Sequence, residues 1–228
     1  MRNYIFLIAV FTAVGCSSEN QESAPETVPY SATELLEAVV NTYEDRDYYQ
    51  ERTVTRAADD SDSGNDENVT EEYYWEFHTD DGLLTRLETH DQNGQTEYEV
   101  TIVPNRAVLH YTEGEEDASI EDPDQMHASP RAASFRLMLD EANDDAPYQV
   151  ELSEVAGEET YQLVTPGDNI FFRQDDYAEI YTDGLNGDYS VEVTTHEWDP
   201  EFDITLFERE GITSEDVQII DRRGLDDS

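Results

Sequence analysis

Residue types able to do chemistry are abundant in this chain but are not arranged as a catalytic set. With 56 Asp and Glu side chains, carboxylate pairs suited to general acid–base work arise by number alone. The five histidines, His78, His90, His110, His127 and His196, show neither the HExxH nor the HxH spacing of a zinc site. No serine sits in a Gly-x-Ser-x-Gly elbow. One acidic loop approaches a metal motif. Asp59, Ser61, Ser63 and Gly64 fall where an EF-hand-type calcium loop has its first ligands and its turn glycine, but the position of the closing bidentate glutamate falls on Thr70, with Glu71 one residue late. The loop reads as a solvated hairpin tip, and no metal or other cofactor is expected. A hydrolase working through surface carboxylates is the rival reading of another class, with no motif behind it, so the expectation is a protein that is not an enzyme.

The remaining reactive side chain is the lone cysteine. Residues 1–15 run from Arg2 through the apolar stretch Tyr4–Val14, about the length of a signal peptide and too short to span a bilayer. Ala13-Val14-Gly15-Cys16 resembles the bacterial lipobox, in which small residues precede a cysteine that is lipidated and becomes the new N-terminus, with Ala13 here in the place of the usual leucine. A single cysteine forms no internal disulfide, and this position gives it a use. Cys16 is therefore read as the lipidation site of an envelope lipoprotein, anchored in the outer membrane and facing the periplasm. Residues 16–29, polar and proline-containing, read as a flexible tether.

The charge balance excludes some partners. A formal net charge of -44, with 12 arginines and no lysine, opposes binding to nucleic acid or an anionic lipid surface. Acid-rich chains with few aromatics are commonly disordered, whereas this one is 11% aromatic, with its acids interleaved among apolar residues at strand spacing. It reads as a folded, acidic-skinned domain of the halophilic type, whose self-repulsion is screened at molar salt, where the Debye length is about 3 Å.

The elements follow from hydrophobic period. In Ser31–Arg46, Leu35, Leu36, Val39, Val40 and Tyr43 share one helical face, and Ser31 with Glu34 forms a capping box. Pro130 opens a second helix, 131–141, with Phe135, Met138 and Leu139 on one face. Between them, 71–78, 83–90, 97–103 and 106–112 alternate as strands of an antiparallel meander with one apolar and one acidic face. Segment 113–129 reads as a long surface excursion. Strands then resume around Tyr148, Val150 and Leu152, around Tyr161 and Leu163, and over 177–182 and 188–197. A solitary apolar-faced helix has to bury that face on a sheet, so the fold class is α+β: a strongly curved antiparallel sheet, an unclosed barrel, covered by two or three helices. One domain over 30–221 is expected, with a frayed tail at 222–228.

This order resembles the LolA/LolB-type lipoprotein carrier fold. The resemblance rests on the N-terminal helix leading into strands, the Pro130–Glu141 helix followed by Tyr148-Gln149-Val150 and Tyr161–Pro166, and Asp183-Gly184 before a long strand. It extends to the closing pattern of Phe202–Phe207, then Gly211-Ile212 and Val217–Ile220. The Arg-Pro and aromatic strand signature of true LolA is absent: Tyr74–Phe77 has the aromatics without the arginine. The resemblance implies a non-catalytic, monomeric carrier that buries a hydrophobic ligand, such as lipid acyl chains, in an apolar cavity. The lining residues would be Tyr73, Trp75, Phe77, Tyr98, Val100, Ile102 and Leu109, with Leu36, Val40 and Phe135 on the helix lid. The same residues suit a filled core equally well, which leaves a structural or protein-interaction lipoprotein as the alternative.

Because screening relieves the self-repulsion, the midpoint of thermal unfolding should rise steeply between low and molar salt. A midpoint that does not move would refute the electrostatic reading.

Overall fold

The computed structural model describes residues 28–57, 67–103, 106–122, 129–144 and 146–224. The signal segment, Cys16, most of the tether, residues 59–66 of the calcium-like loop and the end of the tail lie outside the described residues. Helix α1 spans Ala32–Asp45, capped as its sequence specifies: the Glu34 amide donates to the Ser31 hydroxyl, and the Glu34 carboxylate accepts from the Ser31 amide at 2.8 Å. Helix α2 spans Pro130–Asn143, with Ser129 as N-cap. The strands are β1 (Tyr48–Arg56), β2 (Asn68–Thr79), β3 (Gly82–His90), β4 (Thr96–Thr101), β5 (Val108–Thr112), β6 (Asp117–Glu121), β7 (Gln149–Val155), β8 (Glu158–Val164), β9 (Asp168–Arg173), β10 (Glu179–Gly184), β11 (Tyr189–Trp198) and β12 (Gln218–Asp221).

All twelve join one open sheet in the order β12-β6-β5-β4-β3-β2-β1-β11-β10-β9-β8-β7. Every pairing is antiparallel except β12 with β6. The architecture is the unclosed α+β sheet with helices that the sequence implied. The expected excursion over 113–129 is different: it contains β6, whose Ala118 and Ile120 supply the alternation, and Glu113–Ser129 is not one long loop. Five residues with acidic ends carry too little local signal to read as a strand. The strand is held on both sides, by β5 just before it in the chain and by β12, which arrives about a hundred residues later. Beyond β12 the chain stays in register with β6: the Arg222 amide donates to the Ile120 carbonyl and the Gly224 amide to Asp122, each at 2.8 Å.

Residues directly opposite in neighbouring strands share a sheet face, and the register shows that this sheet has two cores, one on each face. Tyr48 lies opposite Glu76 and Trp198, and these point towards the helices. There Leu35, Leu36, Val39, Val40 and Tyr43 of α1 and Ala132 and Phe135 of α2 pack on Tyr48, Tyr161, Leu163, Ile170 and Phe172. Phe77, one residue on from Glu76, points the other way. On that face Phe77, Leu84, Val100, Ile102, Ala107, Leu109 and Ala118 pack under Phe207 and Val217. Two short 3-10 turns, Ile204–Phe207 and Arg209–Gly211, bring this cover into place. The helices therefore cover β1 and β7–β11 on one face, and the C-terminal segment covers β2–β6 on the other.

Leu36→Ala in the first core and Phe207→Ala in the second should each lower stability by about 2–5 kcal/mol, the range for emptying a closed apolar site. Because the cores share one sheet, urea unfolding of either variant should stay a single transition. A separate early transition in Phe207→Ala would show that the halves are independent.

Candidate functional site

Where α2 starts, the helices stop short of the sheet. The helix-side surface of β2–β4 is left bare beside the first turn of α2, forming a groove of about 280 Å³. Tyr48, Tyr74, Leu87 and Pro130 give it apolar walls, and Arg52, Arg131, Thr85, Ser134 and Glu99 its polar rim. A wider acidic depression of about 450 Å³ continues from it across β3–β6 and β12, sharing Leu87 and Glu99 and adding Glu97, His110, Asp117 and Ile220.

The two rim arginines are held in place from behind. Arg52 binds Glu72 through Nε at 2.7 Å and a terminal nitrogen at 2.6 Å. Arg131 pairs with the buried Glu179, whose carboxylate also accepts from Thr182 Oγ1 at 2.6 Å. The Glu179 amide in turn donates to the Tyr43 hydroxyl at 3.0 Å, which ties the rim to α1. Neither guanidinium brings uncompensated charge. Arg131 Nε is nevertheless buried with no hydrogen-bond partner among the described residues.

Beneath the aromatic wall lies a buried polar cluster. The hydroxyls of Tyr74 and Tyr48 both donate to Glu76 Oε2, at 2.8 and 3.3 Å, while Oε1 is unpartnered among the described residues. Burial raises the Glu76 carboxyl above its ordinary range and pushes both phenols well above theirs. Next along the face, Gln50 Nε2 donates to His196 Nδ1 at 2.9 Å, which places the ring proton on Nε2. Burial, with Arg173 and Arg46 nearby, pulls His196 down to about 3, so the imidazole is neutral throughout the physiological range. These groups act as a hydrogen-bonded floor of fixed dipoles. Among the described residues no three His, Cys, Asp or Glu side chains gather as a metal-ligand set, and no helix is long and apolar enough to cross a membrane.

The residues singled out in the sequence are divided by the sheet. Leu36, Val40 and Phe135 lie in the helix-side core. Phe77, Val100, Ile102 and Leu109 lie in the opposite core, with Trp75 and Tyr98 packed against it. Tyr73 belongs to neither and meets His90 edge-to-face at 5.1 Å. The lid residues and the meander residues thus do not face one another. The groove residues Tyr48, Arg52, Tyr74, Leu87 and Arg131 had two faint signals in the sequence. Tyr74 is an aromatic in the polar phase of β2, and Arg131 directly follows the proline that starts α2.

No family model matches the chain, and no curated protein matches it either. Among solved structures, an uncharacterized conserved protein from Thermus thermophilus aligns with 85% of this chain and 100% of its own at 12% identity, with a TM-score of 0.52. That likeness shows the fold. A chain of the Pseudomonas aeruginosa MucA/MucB complex aligns over 83% of this chain but 63% of its own, at 14% identity and a TM-score of 0.45. A LolA superfamily protein from Nitrosomonas europaea aligns over 79% and 99%, at 8% identity and a TM-score of 0.33. The open sheet with its two-helix cover is the unclosed α+β architecture that the sequence implied.

His196 binds its proton far more weakly folded than unfolded, so the unfolded chain takes up the extra proton as pH falls through 6.5 towards 3. Stability from this group is complete above pH 6.5 and declines on acidification at up to about 1.4 kcal/mol per pH unit. In urea titrations between pH 7 and 5, the stability of wild type relative to His196→Leu should fall as pH falls. Parallel curves would remove His196 as the cause.

Proposed function

We propose that this protein is a non-catalytic, lipid-anchored envelope protein, attached through Cys16 to the outer membrane on its periplasmic side, that binds an amphiphile with an apolar body in the groove beside α2. One observation carries the reading: the helical cover ends early, leaving aromatic and aliphatic walls directly beside a hydrogen-bonding rim in a space of about 280 Å³. Such a mixture suits a ligand with an acyl-like body and a polar end. Apolar area set against Tyr74, Leu87 and Pro130 contributes about 25 cal/mol per Å² removed from water. The resemblance of the sequence to the LolA/LolB-type carriers supports the ligand class. The ligand site differs from the lined cavity that the fold resemblance implied, because the candidate lining residues are packed in two separate cores.

A second reading, an interaction lipoprotein whose surface meets a protein partner, is favoured by that same packing. Leu36, Val100 and Leu109 are each 0% exposed, which leaves them no free area for cargo.

Native mass spectrometry of the Cys16→Ser mature chain, held in concentrated volatile salt and incubated with a lipid extract, separates the two. The amphiphile reading expects a bound adduct that is lost in Leu87→Glu and Ser134→Trp. An adduct that persists in both variants would move the ligand elsewhere, and an absence of adduct would leave the interaction reading standing.

A further inference from the structure

A different surface carries a second binding role. The sheet has two edges, and they are unlike. The β12 edge is four residues long. The β7 edge runs for seven residues in unbroken register with β8 from Gln149 opposite Val164 to Val155 opposite Glu158, with no proline and no bulge. Its hairpin closes through Ala156 and Gly157, both at positive φ (53 and 89), the two-residue turn whose flanking pair is hydrogen-bonded. Counting back from that pair in antiparallel alternation, Gln149, Glu151 and Ser153 bond to β8. The amides and carbonyls of Val150, Leu152 and Glu154 therefore point off the sheet. Among the described residues nothing hydrogen-bonds to them. An edge of this length, in unbroken register and without proline or bulge, is a template for another strand.

The side chains say which strand. Val150 and Leu152 are half-buried and pack against the helix-side core, so the next strand out would find an apolar shelf at alternate positions. Around the shelf acids predominate: on β7, Glu154 is exposed on the shelf face and Glu151 on the reverse face, and Glu158 and Glu159 are exposed at the turn, where Arg173 comes within 4.0 Å of Glu158. In full antiparallel overlap about Leu152, a second copy of this chain would set Glu151 against Ser153 and Glu154 against Val150, so neither acid would gain a counter-charge. A strand alternating basic and apolar residues sets its apolar side chains on the shelf and its basic ones beside Glu151 on the reverse face.

We propose that the β7 edge is a docking site for an extended, basic–apolar alternating peptide segment of a partner protein, added as a further strand of the sheet. The acids that a second copy would leave without a counter-charge are the groups that select the partner. The proposal involves neither the groove nor its ligand and stands or falls separately from them.

The probe is a fluorescent, end-capped heptapeptide of alternating Arg and Val, titrated into the mature chain in about 1 M salt so that non-directional attraction to the acidic surface is screened. Saturable binding is expected, with new amide-exchange protection at Leu152 and Glu154. The same peptide N-methylated on the alternate residues that face β7 should bind at least about tenfold more weakly, because it cannot complete the ladder. Glu154→Pro, which removes an outward amide without touching the β7–β8 bonds, should weaken the native peptide comparably. Should that variant fail to fold, the N-methylated peptide against the native protein decides the matter. Equal affinity for the two peptides, no binding of either, or a free protein that is already a dimer through β7 would each overturn the proposal.

Discussion

The rest of this structure depends on one constraint: a single hydrogen-bonded sheet has to bury apolar side chains on both of its faces, and it has a separate cover for each. The change of face falls between β1 and β2. Tyr48 and Gln50 of β1 turn inward under α1, while across the ladder Trp75 and Phe77 of β2 turn towards the C-terminal cover. On the helix side, the β2 residues next to Tyr48 and Gln50 are Glu76 and Tyr74. This explains why buried carboxyl and phenol groups, and the groove above them, lie at this boundary. The groove is where one cover has ended and the other serves the opposite face.

Arginine is used structurally here. In a chain of net charge -44, five arginines are tied to acids or carbonyls that the fold brings near: Arg46 to Asp199, Arg52 to Glu72, Arg86 to Glu88 and the Leu206 carbonyl, Arg131 to Glu179, and Arg209 to the Val217 carbonyl. Arg86 and Arg209 hold the C-terminal cover, and Arg131 holds the start of α2. Guanidinium suits this work because its planar fork donates to several acceptors at once. The Arg131–Glu179 pair is the most demanding of them. Removing either partner would leave a buried charge uncompensated, at a cost of about 3–5 kcal/mol.

Much of the architecture was legible in the sequence because period and capping are local. The apolar face of α1 matches the buried set residue for residue, and the alternation of β2, β4 and β5 correctly separates Phe77, Val100 and Leu109 from Glu76, Glu99 and His110. Alternation says which residues share a face and is silent on which side of the sheet that face lies. The meander residues were for that reason read as facing the helices, when Phe207 and Val217 cover them instead. The signal for a second cover was present in the apolar Ile204–Phe207 and Val217–Ile220 segments, which need a surface to rest on. The groove was nearly invisible, since it is made where an element ends and by residues such as Arg52, Leu87 and Arg131 that are far apart in the chain.

The sheet order also sets a timetable for the chain. Tyr43 of α1 meets Glu179 across 136 residues, and Gln50 of β1 meets His196 across 146. The second core closes only when Phe207 and Val217 arrive. Neither half can finish burying its apolar face while the C-terminal third is still being made. Contacts this remote in sequence slow folding, because the loop has to close before the contact rewards it. Until then the polypeptide is an open chain with its strand edges unpaired. During that interval the dense carboxylates have a kinetic role: mutual repulsion keeps unfinished copies apart until the last strand zips alongside β6.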